Sequence, residues 1–115
     1  MQERQLKKQS VPENSSLTGF RDIAFVAKAL ADENRLRIIV ALTQGKKSVS
    51  RIVEELGISQ PLASHHLKEL KRALLVSVER SGPFIYYELA DRRIAAIITD
   101  LNSLATDLLA NRTAF

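Results

Sequence analysis

The apolar residues of this chain switch abruptly from a helical to a strand period after Leu75, and return to the helical period near Asp91. Before the switch, Ser48 stands where it can cap a short helix. Val49, Ile52, Val53 and Leu56 follow at i, i+3, i+4 and i+7, and Gly57 ends the helix where a left-handed residue is wanted. Ser59 stands where it can cap the next helix. Pro61 is tolerated in its first turn because amides there lack intrahelical partners, and Ala63, His66, Leu67, Leu70 and Leu74 form the inward stripe. Two short helices joined by a tight glycine turn predict a helix-turn-helix. After it, Val76, Val78 and Arg80 alternate with Ser77 and Glu79, and Ser81-Gly82-Pro83 turns the chain. Phe84, Tyr86 and Glu88 then alternate with Ile85, Tyr87 and Leu89, which predicts a β-hairpin.

The flanking segments complete the pattern. Phe20, Ile23, Ala27 and Leu30 predict a first helix. Asp32 is placed to cap a second helix, with Leu36, Ile39, Val40 and Thr43 as its stripe, Ile38 and Leu42 widening it, and Gly45 as its stop. A last helix opens near Asp91 and runs about 20 residues, roughly 30 Å. On it Ile94, Ile97, Leu101, Leu104 and Leu108 hold an alternating 3–4 spacing. Residues 1–18 are polar and aperiodic and read as a disordered or flexible arm; residues 19–112 read as one folded domain. The fold class expected is mainly α with a β-hairpin wing, a winged helix-turn-helix of order ααααββα.

With 115 residues, 45% of them hydrophobic, the chain has the size and balance of a single globular domain. No apolar run approaches the roughly 20 residues of a membrane span, and MQERQLKKQS lacks an apolar signal core, so a cytoplasmic protein is expected. The absence of cysteine rules out disulfides and thiolate chemistry. No nucleophile–base pair, carboxylate cluster or phosphate-binding glycine loop stands out, which argues against an enzyme. The net charge of +4 is unevenly spread: residues 35–80 hold nine basic and four acidic side chains, while the remainder is close to balanced. A basic surplus over the helix-turn-helix suits a polyanion such as nucleic acid, or is simply a solvated lysine-rich surface.

The segments Ala29-Leu30-Ala31-Asp32-Glu33-Asn34-Arg35-Leu36-Arg37-Ile38-Ile39, Ile58-Ser59-Gln60-Pro61-Leu62-Ala63-Ser64-His65-His66-Leu67-Lys68-Glu69-Leu70, and Arg80-Ser81-Gly82 with Tyr86-Tyr87-Glu88-Leu89 stand in order and at family spacing. Together they resemble the ArsR/SmtB repressors: second helix, recognition helix and wing. The resemblance covers roughly residues 20–110 and implies a sequence-specific repressor of double-stranded DNA, acting as a homodimer on an inverted-repeat operator. It implies DNA contacts from Ser59, Gln60, Pro61, Ser64, His65 and Lys68 on the recognition helix and from Arg80 and Gly82 in the wing. Glutamine can pair with adenine, serine and histidine with base edges or phosphate, and lysine with the backbone. His66 is expected to pack inward, and Arg35, Lys46, Lys47 and Arg51 to add attraction independent of sequence. The dimer is expected through the first and last helices, using Phe20, Ile23, Ile94, Ile97, Leu101, Leu104 and Leu108.

The chain departs from the metal-sensing members. Where the soft-metal site needs a Cys-Val-Cys, it has Ser48-Val49-Ser50; where the zinc site needs Asp and His ligands, it has Asp91, Arg93, Leu104 and Asp107. Neither set makes a metal site, so no metal and no cofactor is expected. An Arg93–Asp107 ion pair between subunits is expected in the metal's place, the alternative being that both reach into solvent. The signal is left open to an unknown small-molecule effector, or to none, as in a constitutive or architectural DNA binder. A winged helix used for protein contact is the rival reading.

Overall fold

A computed structural model describes residues 19–112, so the expectation of a flexible arm over residues 1–18 lies outside the described residues. The elements run α1 (Phe20–Leu30), α2 (Glu33–Leu42), β1 (Lys47–Ser48), α3 (Val49–Leu56), α4 (Gln60–Arg72), β2 (Val76–Ser81), β3 (Phe84–Leu89) and α5 (Arg93–Ala110). The winged helix-turn-helix is as expected, with one addition. Lys47 and Ser48 pair antiparallel with Tyr87 and Tyr86, so the wing is a three-stranded sheet of order β1-β3-β2. A strand of two residues is too short for any period to register.

Local chemistry places the helix ends. The Asp32 carboxylate accepts the backbone N–H groups of Asn34 and Arg35 at 2.8 and 3.1 Å. Ser48 accepts from Arg51 N at 3.2 Å, and Ser59 from Leu62 N at 3.3 Å. Gly57 takes φ 67°, closing α3 and turning the chain into α4. The hairpin is in continuous register from Val76 opposite Leu89 to Ser81 opposite Phe84, with Gly82 at φ 61° in its turn.

Ile38, Ile39, Leu42, Ile52, Ala63, Leu67, Leu70, Leu75 and Val76 form the buried centre. Three expectations about which residues face it are corrected. On α2 the inward stripe is Ile38, Ile39 and Leu42, while Val40 and Thr43 are exposed. Leu36 and Val40 instead line an open groove of about 750 Å³ with Ile98, Leu101 and Ala105 of α5. Ile94, expected at the subunit interface, is only 9% exposed and belongs to this chain's own core: the first turn of α5 lies on the core before the helix runs clear of it.

Leu74 is the third correction, since it is 79% exposed and stands outside the inward stripe of α4. The helix stops at Arg72, and Leu75 N bonds back to Leu70 O at 3.0 Å, which requires the left-handed φ of 63° at Leu74. A leucine there strains its Cβ and leaves an apolar side chain in solvent. Leu74→Gly is expected to stabilise the fold by about 0.5–1 kcal/mol, read as a higher urea midpoint; a lower midpoint would contradict this account.

Candidate nucleic-acid interface

One side of α4 is buried and the other is open. Ala63, His66, Leu67 and Leu70 face the core, while Ser59, Gln60, Pro61, Ser64, His65 and Lys68 are all exposed. The structure therefore brings the six expected positions of α4 onto its solvent side, beginning at a capped N-terminus whose free amides favour anions. Arg80 and Gly82 are exposed at the end of the hairpin. Three further residues of α4 are exposed, of which Arg72 is paired with Glu69. Leu62 is an apolar side chain of the first turn, and Lys71 follows Lys68 at i+3.

The basic surplus is smaller than its count suggests. Lys46 pairs with Glu79 at 2.9 Å and lies over the Tyr86 ring, which clamps the base of the wing. Lys47 and Arg51 share Glu55 at 3.0 and 2.6 Å, and Arg72 meets Glu69 at 3.5 Å. Glu55 is consequently held below its ordinary pKa, first by Arg51 and then by Lys47. Arg37 donates to Asn34 Oδ1 at 3.0 Å and to the Leu56 carbonyl at 2.8 Å. Of the nine basic residues from 35 to 80, Lys68, Lys71 and Arg80 remain without an ion-pair or hydrogen-bond partner among the described residues. The expected attraction from Arg35, Lys46, Lys47 and Arg51 thus shifts toward these three, because tertiary pairing has neutralised or buried much of the rest.

Arg35 serves the framework instead. Its guanidinium donates to the carbonyls of Ala29 and Lys28 and, at 3.2 Å, meets Nδ1 of His66, whose Nε2 lies 3.7 Å from Asp32 Oδ1. His66 is 5% exposed, as expected of an inward residue, but it is a bonded junction rather than mere packing. Burial is the main cause holding it below the usual histidine pKa, with Arg35 and His65 acting in the same direction and Asp32 opposing. Asp32 is held below the ordinary carboxylate value, first by the backbone N–H of Arg35.

Within one copy Arg93 already has a partner, and it is not the Asp107 expected from a second subunit. Arg93 bonds Asp91 through two nitrogens, at 3.1 and 2.9 Å, and Asp91 also accepts Arg93 N at 2.8 Å. A partner two residues away is reached at little entropic cost. The Arg93 side chain, then its backbone N–H, lower the Asp91 pKa to about 2. Ser48 is occupied as a helix cap. Among the described residues no group of three or more histidines and carboxylates is gathered as a metal site.

Phe20, Ile23, Ile97, Leu101, Leu104 and Leu108 are all exposed, and so are Phe25 and Leu109, which the stripes omitted. Large apolar residues in such number on α1 and α5 mark surfaces that a single copy leaves uncovered. No helix among the described residues is long and apolar enough to cross a membrane.

Comparison with known proteins gives consistent matches. The family model described as bacterial regulatory protein, arsR family, matches residues 32–78. The transcriptional repressor SdpR of Bacillus subtilis is 44% identical over 64 residues, which are 56% of this chain and 71% of SdpR. The transcriptional repressor SmtB of Mycobacterium tuberculosis is 42% identical over 73 residues, 64% of this chain but only 54% of SmtB, so the match spans about half of that relative. Among solved structures, the homodimeric winged helix-turn-helix DNA-binding domain of a possible ArsR-family regulator from Mycobacterium bovis superposes with a TM-score of 0.72. It is 30% identical, and the match covers 84% of this chain and 90% of that one.

Proposed function

The chain belongs to the arsR family of bacterial regulatory proteins, and on that premise we propose that it is a homodimeric repressor that reads an inverted-repeat operator in double-stranded DNA without the family's metal sites. The relatives named above are regulators rather than enzymes. A cytoplasmic location goes with this reading. The observation that carries it is the exposed face of α4, where Gln60, Ser64 and His65 stand beside Lys68 and Lys71. Neutral hydrogen-bonding groups suit base edges in the major groove, and unpaired cations suit phosphate. Arg80 in the wing adds a phosphate or minor-groove contact. A surface made for another protein would have an apolar or acidic face there. The dimer is supported by the uncovered leucines of α5 and by the homodimeric neighbour. Its two recognition helices would meet half-sites about 34–36 Å apart, one turn of the duplex.

The test uses a duplex selected from a random library by the protein itself. Gln60→Ala and His65→Ala are expected to cost about 1–3 kcal/mol on that duplex and to relax its sequence preference. Lys68→Ala and Arg80→Ala should instead weaken all sequences alike and flatten the dependence on salt. Equal losses on selected and random DNA for Gln60→Ala and His65→Ala would remove both from sequence reading.

Metal independence is a separate expectation. Serine at positions 48 and 50 offers a metal no thiolate, and Arg93 places a cation already bound to Asp91 where a ligand would be needed. Zinc, cadmium or arsenite in micromolar excess should leave affinity for the selected duplex unchanged. A tenfold shift, about 1.4 kcal/mol of coupling, would contradict this and point to ligands outside both known sites. The signal is then left to a small-molecule effector of unassigned chemistry, or to none.

A further inference from the structure

We propose that His66 and Arg35 are positioning residues for the recognition helix, and that protonation of His66 releases α4 and weakens DNA binding. The inference rests on the DNA-binding reading above.

The buried face of α4 is held mainly by Ala63, Leu67 and Leu70, whose apolar contacts have no preferred direction. The contact between Arg35 Nη1 and His66 Nδ1, at 3.2 Å, is different: it constrains how far α4 lies along and around its own axis. Arg35 is itself fixed, since its other nitrogens donate to the carbonyls of Ala29 and Lys28 at the end of α1. Through Arg35, then, His66 is referenced to both α1 and α2. His65 is the next residue back along the helix and sits on the exposed face. Any displacement of the His66 ring is carried directly to His65 and Ser64, where a fraction of an ångström matters for base contact.

The protonation state follows from the donor inventory. A guanidinium can only donate, so Nδ1 of His66 must accept, and the ring is neutral with its hydrogen on Nε2, facing Asp32. A second proton on Nδ1 sets two N–H groups against each other and turns the bond into repulsion. Asp32 cannot absorb the new charge freely. It lies 3.7 Å away, and the same Oδ1 already caps α2 by accepting from Asn34 and Arg35. The other charged groups around the junction are Glu69, His65 and Arg72 on α4 and Lys28 on α1. Asp32 and Glu69 favour the imidazolium; Arg35, His65 and burial oppose it. Because the neutral ring is the bonded one, DNA affinity should fall as pH drops through the His66 titration. His65 has the opposite sign, since a cation on the exposed face attracts phosphate.

The experiment therefore uses the full chain carrying His65→Gln, with a duplex selected at about pH 8, at constant ionic strength. Affinity is expected to fall at least about threefold between about pH 8 and about pH 5, where a histidine held below its usual pKa still takes up its proton. In the His65→Gln/His66→Asn protein the change should be less than about twofold, because asparagine keeps an acceptor oxygen near the Nδ1 position and does not titrate. As a second readout, the His66 ring is followed by proton NMR in the unmodified chain, with and without the duplex. Reciprocity requires the bound form to titrate at lower pH. Affinity that stays flat in His65→Gln, a fall that persists after His66→Asn, or an unmoved His66 titration overturns the proposal while leaving DNA binding intact. No binding of the duplex by the unmodified chain at about pH 8 overturns both.

Discussion

Leu104→Glu is expected to convert a dimer into a folded monomer and to lower its affinity for the selected duplex at least about a hundredfold. Leu104 is 53% exposed and takes no part in the buried core, so a carboxylate there leaves the single copy intact. In an apolar seam between two copies the same carboxylate costs several kcal/mol unless paired, and a two-fold seam presents it twice. Asp100 and Asp107 already lie on α5, so the substitution adds to existing negative charge. DNA affinity falls because the second recognition helix no longer binds intramolecularly. Light scattering at micromolar concentration checks the mass and circular dichroism the fold. An unmodified chain that is monomeric under those conditions, or a Leu104→Glu protein that remains dimeric, would contradict the α5 interface.

The second large effect is thermodynamic. Leu67→Ala is expected to destabilise the protein by about 2–5 kcal/mol, read from urea unfolding. Leu67 is fully buried on the inner side of α4, within the cluster that includes Ile38, Ile39 and Leu70. Truncation removes the transfer energy of the side chain and leaves a cavity in the buried cluster. Against a typical domain stability of about 5–15 kcal/mol, that loss is large. Leu62→Ala, on the exposed side of the same helix, should change stability by no more than about 0.5 kcal/mol. A loss below about 1 kcal/mol for Leu67→Ala would mean that the inward face of α4 has been misassigned.

The helices were legible because their signals are local. Asp32, Ser48 and Ser59 cap helices within three residues of themselves, and Gly57 supplies the left-handed turn at the position where α3 must end. The exposed half of α4 followed from the same period that identified its buried half. What was not legible depends on partners far along the chain. Lys46 is neutralised by a glutamate 33 residues away, and His66 is bonded by an arginine 31 residues away, so neither appears in a local charge count. The strand at Lys47–Ser48 exists only because Tyr86 and Tyr87 pair with it. Ile94 and Leu104 share one stripe on α5, yet only the first rests on the core, since periodicity gives a direction around a helix and not the point where the helix leaves its own domain. Phe25 falls off the stripe of Phe20 and Ile23, so the period alone did not mark it as an exposed apolar residue.

Selection of duplex DNA by the purified protein tests the central claim most directly. The expected result is enrichment of an inverted repeat, bound by two copies of the chain at least about a thousandfold more tightly than a scrambled duplex at the same salt concentration. Failure to enrich any sequence, or equal affinity for the selected and scrambled duplexes, would contradict it.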